Sequence, residues 1–116
     1  MGDFAYQLIK KSLDASALRQ KVISHNLANI NTRGFKRSEV IFEDELKDKL
    51  KSNGNNLDSI EPEVVKDEST SMRLDGNNVD LDYEMSNQAA NSLLYYTLVS
   101  QANAKIGMMR YVISEG

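Results

Sequence analysis

The side chains able to do chemistry are few, and their spacing gives them little to do. His25 is the only histidine, and there is no cysteine. A Ser-His-acid relay would have to use His25, yet no nucleophile elbow surrounds it. As a metal ligand it lacks a second histidine or any thiolate. A partly buried position near a helix end accounts for it without chemistry. The acidic stretch Asp75-Gly76-Asn77-Asn78-Val79-Asp80-Leu81-Asp82 has the carboxylate density of a calcium loop. Placing Gly76 at the glycine position of such a loop puts Ser71 and Arg73 at the first two ligand positions and Asp82 at the last. Arginine cannot ligate a cation, so a turn followed by a helix start explains these acids better.

Arg33, Lys36 and Arg37 form a small basic cluster. Glu39 follows at once and the whole chain is acidic, so the cluster is a poor nucleic-acid patch. It is expected as a solvated turn or in contact with an acidic neighbour such as residues 80–84. Tyr95, Tyr96, Met108 and Met109 could line a ligand pocket, but at helical spacing such residues more often pack, with methionine filling irregular contacts. Nothing in the sequence supports an enzyme, and no cofactor or metal is expected.

The bulk numbers agree. At 116 residues the chain is one domain by length, and 41% hydrophobic content is enough for packing. A single proline leaves room for long uninterrupted helices. A formal charge of −3 and a pI near 5.1 argue against nucleic acid as the main partner. Without cysteine there is no disulfide framework. Met1-Gly2-Asp3-Phe4 carries an early acid and leads into no secretory apolar run. Residues 93–99, the longest apolar candidate, fall far short of the roughly 20 residues of a membrane span. The expectation is a cytosolic protein, or one exported without a cleaved signal.

Three zones must position the residues above. Residues 1–34 read as a helix and turn, from Asp3 as N-cap to the neighbourhood of Asn31. The apolar stripe is Ala5, Ile9, Leu13, Leu18, Val22, Ile23, Leu27 and Ile30. Asn26, Asn29 and Asn31 crowd its end, although asparagine amides compete for helical backbone bonds. Gly34 supplies a left-handed stop. Residues 35–78 read as an irregular middle segment: a short extended piece over 38–42, a brief helix over 43–50 stopped by Ser52-Asn53-Gly54-Asn55-Asn56, then loop or weak strand around Pro62 and 66–71. Residues 79–116 read as a helix opened by the Asp75-Gly76-Asn77-Asn78 turn. Its stripe, Met85, Ala89, Leu93, Tyr96, Val99, Ala102, Ile106, Met109 and Ile113, has a mean step of about 3.5 residues, the coiled-coil period.

The expected fold is therefore mainly α, with long N- and C-terminal helices forming a coiled-coil-like pair around a small irregular or short-strand middle. Helices of roughly 28 and 33 residues would be about 40 and 50 Å long. Such a pair has little core beyond its own seam, so both helices need neighbours and an oligomer or polymer follows. The interface candidates are Ile9, Leu13, Leu18, Val22 and Leu27, then Asn26, Asn29, Asn31, Gly34 and Phe35 at the helix end. On the last helix they are Met85, Leu93, Tyr96, Val99, Ile106, Met109 and Ile113. The asparagine amides are expected to meet groups of an adjacent subunit.

Asn26-Leu27-Ala28-Asn29-Ile30-Asn31-Thr32-Arg33-Gly34-Phe35-Lys36 resembles the N-terminal signature of the bacterial flagellar rod and hook family. The Asp75 to Asp82 stretch, with Glu84 and the helix through Asn91, Ser92, Leu93 and Tyr95, resembles the C-terminal part of the family's proximal rod members. Arg33 stands where the family usually has proline, and Phe35 where tyrosine is usual. The resemblance implies a structural subunit of the basal-body rod in the periplasm, exported through the flagellar type III pathway without signal cleavage. Its terminal helices would pack with those of neighbours into a torque-transmitting tube around the export channel. The implied partners are other copies, other rod subunits, the basal-body base or adaptor proteins, and the export apparatus, with no nucleic acid. The competing expectation is a cytosolic helical adaptor that forms a closed oligomer.

Overall fold

The first helix contains no proline and no glycine, and good helix formers fill its surface. In the computed structural model, which describes residues 4–53, 57–71 and 73–115, this is α1, Phe4–Ala28. It stops before Asn31 because the backbone tightens. The Asn29 amide is shared between the carbonyls of His25 and Asn26, at 3.2 and 3.1 Å, and Ile30 and Thr32 bond three residues back. Gly34 then takes φ 73°, which glycine adopts without a Cβ penalty. The expected Asp3 N-cap lies outside the described residues.

The middle segment is more regular than its composition suggests. Strand β1, Ser38–Ile41, pairs antiparallel with β2, Glu63–Lys66, from Ser38 opposite Lys66 to Ile41 opposite Glu63. Between them runs α2, Glu43–Asn53, whose first turn holds Glu43, Asp44 and Glu45 and whose last turn holds Lys51, matching the helix dipole at both ends. The Gly54-Asn55-Asn56 part of the expected stop lies outside the described residues. A two-stranded ribbon is marginal alone, and here β1 rests on α1.

Helix α3, Leu81–Glu115, is the longest element. Asp80 caps it: its Oδ1 accepts the amides of Asp82 at 2.9 Å and Tyr83 at 3.3 Å. The two long helices pair as expected, and they run antiparallel, with Asn26 against Glu84 and Ser16 against Asn91. The outline is correspondingly extended, 65 × 29 × 14 Å.

Burial departs from the apolar stripes. On α1 the buried residues are Ala15, Ser16, Val22, Ile23 and Asn26, while Ala5 is exposed and Ile9, Leu13, Leu18 and Leu27 are half-buried. Small and polar residues line the inner face because its polar groups find partners on α3 and β1. A count of apolar side chains passes over them. A second side of the molecule buries Ala15 with Phe42, Leu57 and Ile60, backed by Phe4, Leu8 and Leu46. The middle segment is thus folded onto α1.

On α3 the stripe divides. Met85, Leu93 and Tyr96 are exposed, Val99, Ala102, Ile106 and Met109 are half-buried, and Ile113 is exposed again. At about 100° per residue a repeat of 3.5 drifts round a straight helix, so one stripe cannot stay on one seam. Phe42→Ala should therefore cost about 3–5 kcal/mol in urea unfolding, whereas Leu93→Ala should stay within about 0.5 kcal/mol.

Candidate functional site

The end of α1, the start of α3 and β1 meet in a junction built almost wholly of polar side chains. Asn26, Asn77 and Glu84 are each 0% exposed, and Arg37 is 6% exposed. Burying that many polar groups is tolerable only when every one is bonded. Asn26 Oδ1 accepts the Ser38 amide at 2.9 Å, and its Nδ2 donates to the Ser38 carbonyl at 2.8 Å and to Glu84 Oε1 at 3.0 Å. One side-chain amide therefore serves β1 as a strand partner would and holds the α3 carboxylate with its remaining hydrogen.

Arg37 completes the set. Its Nε donates to Glu84 Oε2 at 2.6 Å, its Nη1 lies 3.2 Å from Glu39 and 3.3 Å from Asp67, and its guanidinium sits 4.9 Å over the Tyr83 ring. Burial opposes its charge, but the bond to Glu84 and then Glu39 outweigh that, and its pKa is raised. The expected contact between the basic cluster and residues 80–84 is thus present inside one chain, as the Arg37–Glu84 pair.

Asp75, Gly76, Asn77 and Asn78 form the second half of the junction. Asn77 Nδ2 donates to the carbonyls of Asn29, Ile30 and Thr32 at 2.8, 3.0 and 2.8 Å, and its Oδ1 accepts the Val79 amide at 2.8 Å. Carbonyls of the turn that ends α1 are thus held from the segment that leads into α3. Arg73 Nη1 adds a bond to the Ile30 carbonyl at 2.7 Å, and Lys36 Nζ donates to the Gly76 carbonyl at 2.7 Å. Gly76 holds φ 79°, with a Cβ there meeting Gly34 Cα at 3.7 Å. Asn78 ties Asp67 and Arg37 together, donating to the Asp67 carbonyl at 2.7 Å and accepting the Arg37 amide at 2.7 Å. Asp67 lies below the usual carboxylate range, first through its bonds with Ser69 and then through Arg37.

Farther along the seam, Asn91 Oδ1 accepts the Ser16 hydroxyl at 3.0 Å, and Asn91 Nδ2 donates to the Ser16 carbonyl at 2.9 Å and to Gln20 Oε1 at 3.1 Å. Two ion pairs edge the middle segment, Arg19–Glu43 at 2.8 Å and Lys11–Glu61 at 2.9 Å. For Glu43 burial pulls upward, but Arg19 prevails and its pKa is lowered.

The expected placement of Asn26 against an adjacent subunit is corrected: it is wholly buried and both of its amide atoms are engaged inside the chain. Asn29 serves its own turn, bonding the His25 carbonyl at 2.9 Å and accepting from Thr32. Asn31 and Gly34 are exposed. Phe35 is half-buried, edge-on to His25 at 5.5 Å, and His25 is exposed rather than partly buried. Sequence reading passed over Ser16 and Asn91 as a pair; the one signal was a polar residue at each helix's inner face. Among the described residues no group of three or more His, Cys, Asp or Glu is arranged for a metal ion, and none of the helices is long and apolar enough to cross a membrane.

Comparison with known proteins gives this junction its context. Residues 12–36, the later part of α1 with its exit turn, match a family model described as "Flagella basal body rod protein". The flagellar basal body rod protein FlgB of Bacillus subtilis is 31% identical over 95% of this chain and 93% of its own length. The chain belongs to the FlgB family of rod proteins. FlgB of Borreliella burgdorferi is 35% identical over 86% of this chain and 90% of its own. The basal-body rod protein FlgG of Buchnera aphidicola is similar more locally, 55% identical over 34% of this chain and 15% of its own length. The protein is a structural subunit of the flagellar basal body rod.

Glu84→Gln should cost about 3 kcal/mol in chemical denaturation, since it leaves Arg37 buried without its main counter-charge. Asn26→Asp should cost more than Asn26→Ala, because it sets a second carboxylate beside Glu84. With its folded pKa depressed, Asp67 stabilises the fold above about pH 4 and loses that contribution as pH falls through the folded value. Asp67→Asn should accordingly lose less stability than the wild type between pH 5 and 2, in urea titrations at about those values.

Proposed function

We propose that this subunit builds the proximal part of the rod, assembling through its terminal helices into a tubular axial structure that transmits torque. In this reading it works in the periplasm, reaches it through the flagellar export apparatus, and contacts further copies, other rod subunits and the basal-body base or adaptor proteins. The observation that carries the reading is the distribution of apolar surface on α3. The polar bonds of Asn26, Glu84, Ser16 and Asn91 close the seam inside one chain, yet large apolar side chains stay in water along the helix. Leu93 is 70% exposed, Tyr96 72% and Tyr111 67% along one side of the helix, and Ile113 is 76% exposed on the other. Single exposed apolar residues are ordinary, but a row along a helix marks an interaction surface.

The proposed contacts are therefore the outward residues Met85, Leu93, Tyr96 and Ile113, the half-buried Ile9, Leu13, Leu18, Leu27, Val99, Ile106 and Met109, and Asn31, Gly34 and Phe35 at the exit turn. An open groove of about 560 Å³ between the helices, lined by Ala17, Gln20, Lys21, Ser24, Tyr95 and Tyr96, offers a seat on the same side for a neighbour's side chains.

Purified basal bodies provide the test. The full chain should co-purify with them, and a chain lacking residues 1–30 should not. Leu93→Asp should abolish incorporation and motility while changing monomer stability by no more than about 0.5 kcal/mol. A wild-type chain recovered only as one fixed oligomer in the cytosol, at all concentrations, would overturn the reading.

A further inference from the structure

We infer that the free edge of β2 is a docking strand for an extended basic segment of another protein. The surface lies in the middle segment, apart from the terminal helices, and does not depend on how those assemble. The Asp67 amide donates to the Arg37 carbonyl at 2.8 Å, and the register sets Ser38 opposite Lys66 and Val40 opposite Val64. Bonded and unbonded pairs alternate along an antiparallel ladder. The backbone groups of Ser38, Val40, Val64 and Lys66 therefore turn away from the partner strand.

The two edges that result are unlike. Along β1, which rests on α1, side chains cover the outward groups. Asn26 takes the Ser38 amide and carbonyl at 2.9 and 2.8 Å, and Arg19 donates to the Val40 carbonyl at 3.1 Å. Along β2 no described residue bonds the outward N–H and C=O of Val64 or Lys66, and the Val64 side chain is 47% exposed. A row of bare edge groups is a template for one more strand.

Charge selects the occupant. Glu45, in the first turn of α2, meets Glu63 at the start of β2. The Glu45 carboxyl is pushed up there, by desolvation and then by the hydrogen bond and charge of Glu63. Neither acid forms an ion pair among the described residues, whereas Glu61 is matched by Lys11 at 2.9 Å. A lysine or arginine on an incoming strand relieves that like-charge contact. Side chains alternate between the faces of a strand, so the residue next to that cation in the incoming sequence falls on the Val64 face and should be apolar. The fitting segment is extended and alternates apolar with basic residues.

The probe is a short synthetic peptide of alternating valine and lysine, titrated into the full chain with backbone amide chemical shifts as the readout. The amides of Val64 and Lys66 should shift most, and a peptide of alternating valine and glutamate should leave them unmoved. Val64→Pro removes an outward N–H without touching the ladder to β1, and should weaken binding on the order of tenfold. Glu63→Lys should weaken it too, through charge, with thermal unfolding checking that both variants fold. Methylating the peptide's backbone nitrogens removes its strand donors and keeps its charge. That should abolish binding to the wild type, a result independent of whether Val64→Pro folds. Undiminished binding of the methylated peptide, or shifts centred on α3, would overturn the inference. So would sedimentation showing wild-type dimers that Val64→Pro abolishes, since the β2 edge would then hold a second copy.

Discussion

Everything at the junction follows from placing the Glu84 carboxylate where no water reaches it. An ionised carboxylate in that position is tolerable only beside a cation and with its other lone pairs filled. Arg37 supplies the charge and Asn26 the hydrogen bond. Those two residues in turn fix what surrounds them. Asn26 must sit on the inner face of α1, its amide pairs with both backbone groups of Ser38, and β1 is thereby anchored at one end. Arg37 draws Glu39, Asp67 and Tyr83 around itself, and Asp67 draws β2 and its following loop inward. One buried charge organises two helices and a ribbon.

Such a junction gains specificity more than stability. A well-packed apolar substitute for a buried ion pair is often as stable or more so, but an apolar seam accepts several registers. Here the register is named twice, by Asn26 with Glu84 and by Ser16 with Asn91. Asn77 adds a third constraint by capping the Asn29, Ile30 and Thr32 carbonyls from the segment that begins α3. The turn that ends one helix is thus tied by a single side chain to the segment that leads into the other.

The long helices, their turn residues and the paired charges were legible in the sequence because local rules govern them. Uninterrupted helical patterning gives α1 and α3, Gly34 and Gly76 take their left-handed conformations, and the short strand and helix over 38–53 fall close to where charge and apolar alternation put them. The family signature over residues 26–36 was legible too. The inner faces were not. Period counting assigns a seam to apolar residues; it finds the buried Val22 and Ile23 but passes over Ser16, Asn26, Glu84 and Asn91, whose role depends on partners 58 to 75 positions away. Asn26 shows the limit well: its type announces that an amide must be satisfied, and only the fold says by whom.

The polar rungs between α1 and α3 also have a mechanical meaning. Apolar side chains slide past one another with little loss, since one hydrocarbon contact replaces the next. Sliding this pair by one helical turn, about 5.4 Å, would instead part Asn26 from Glu84 and Ser16 from Asn91 together. Those groups would be left dry and unpartnered until the motion was complete. The hairpin of long helices therefore acts as a detent: stiff against small axial loads, with its resistance concentrated at two discrete points and not spread along its length.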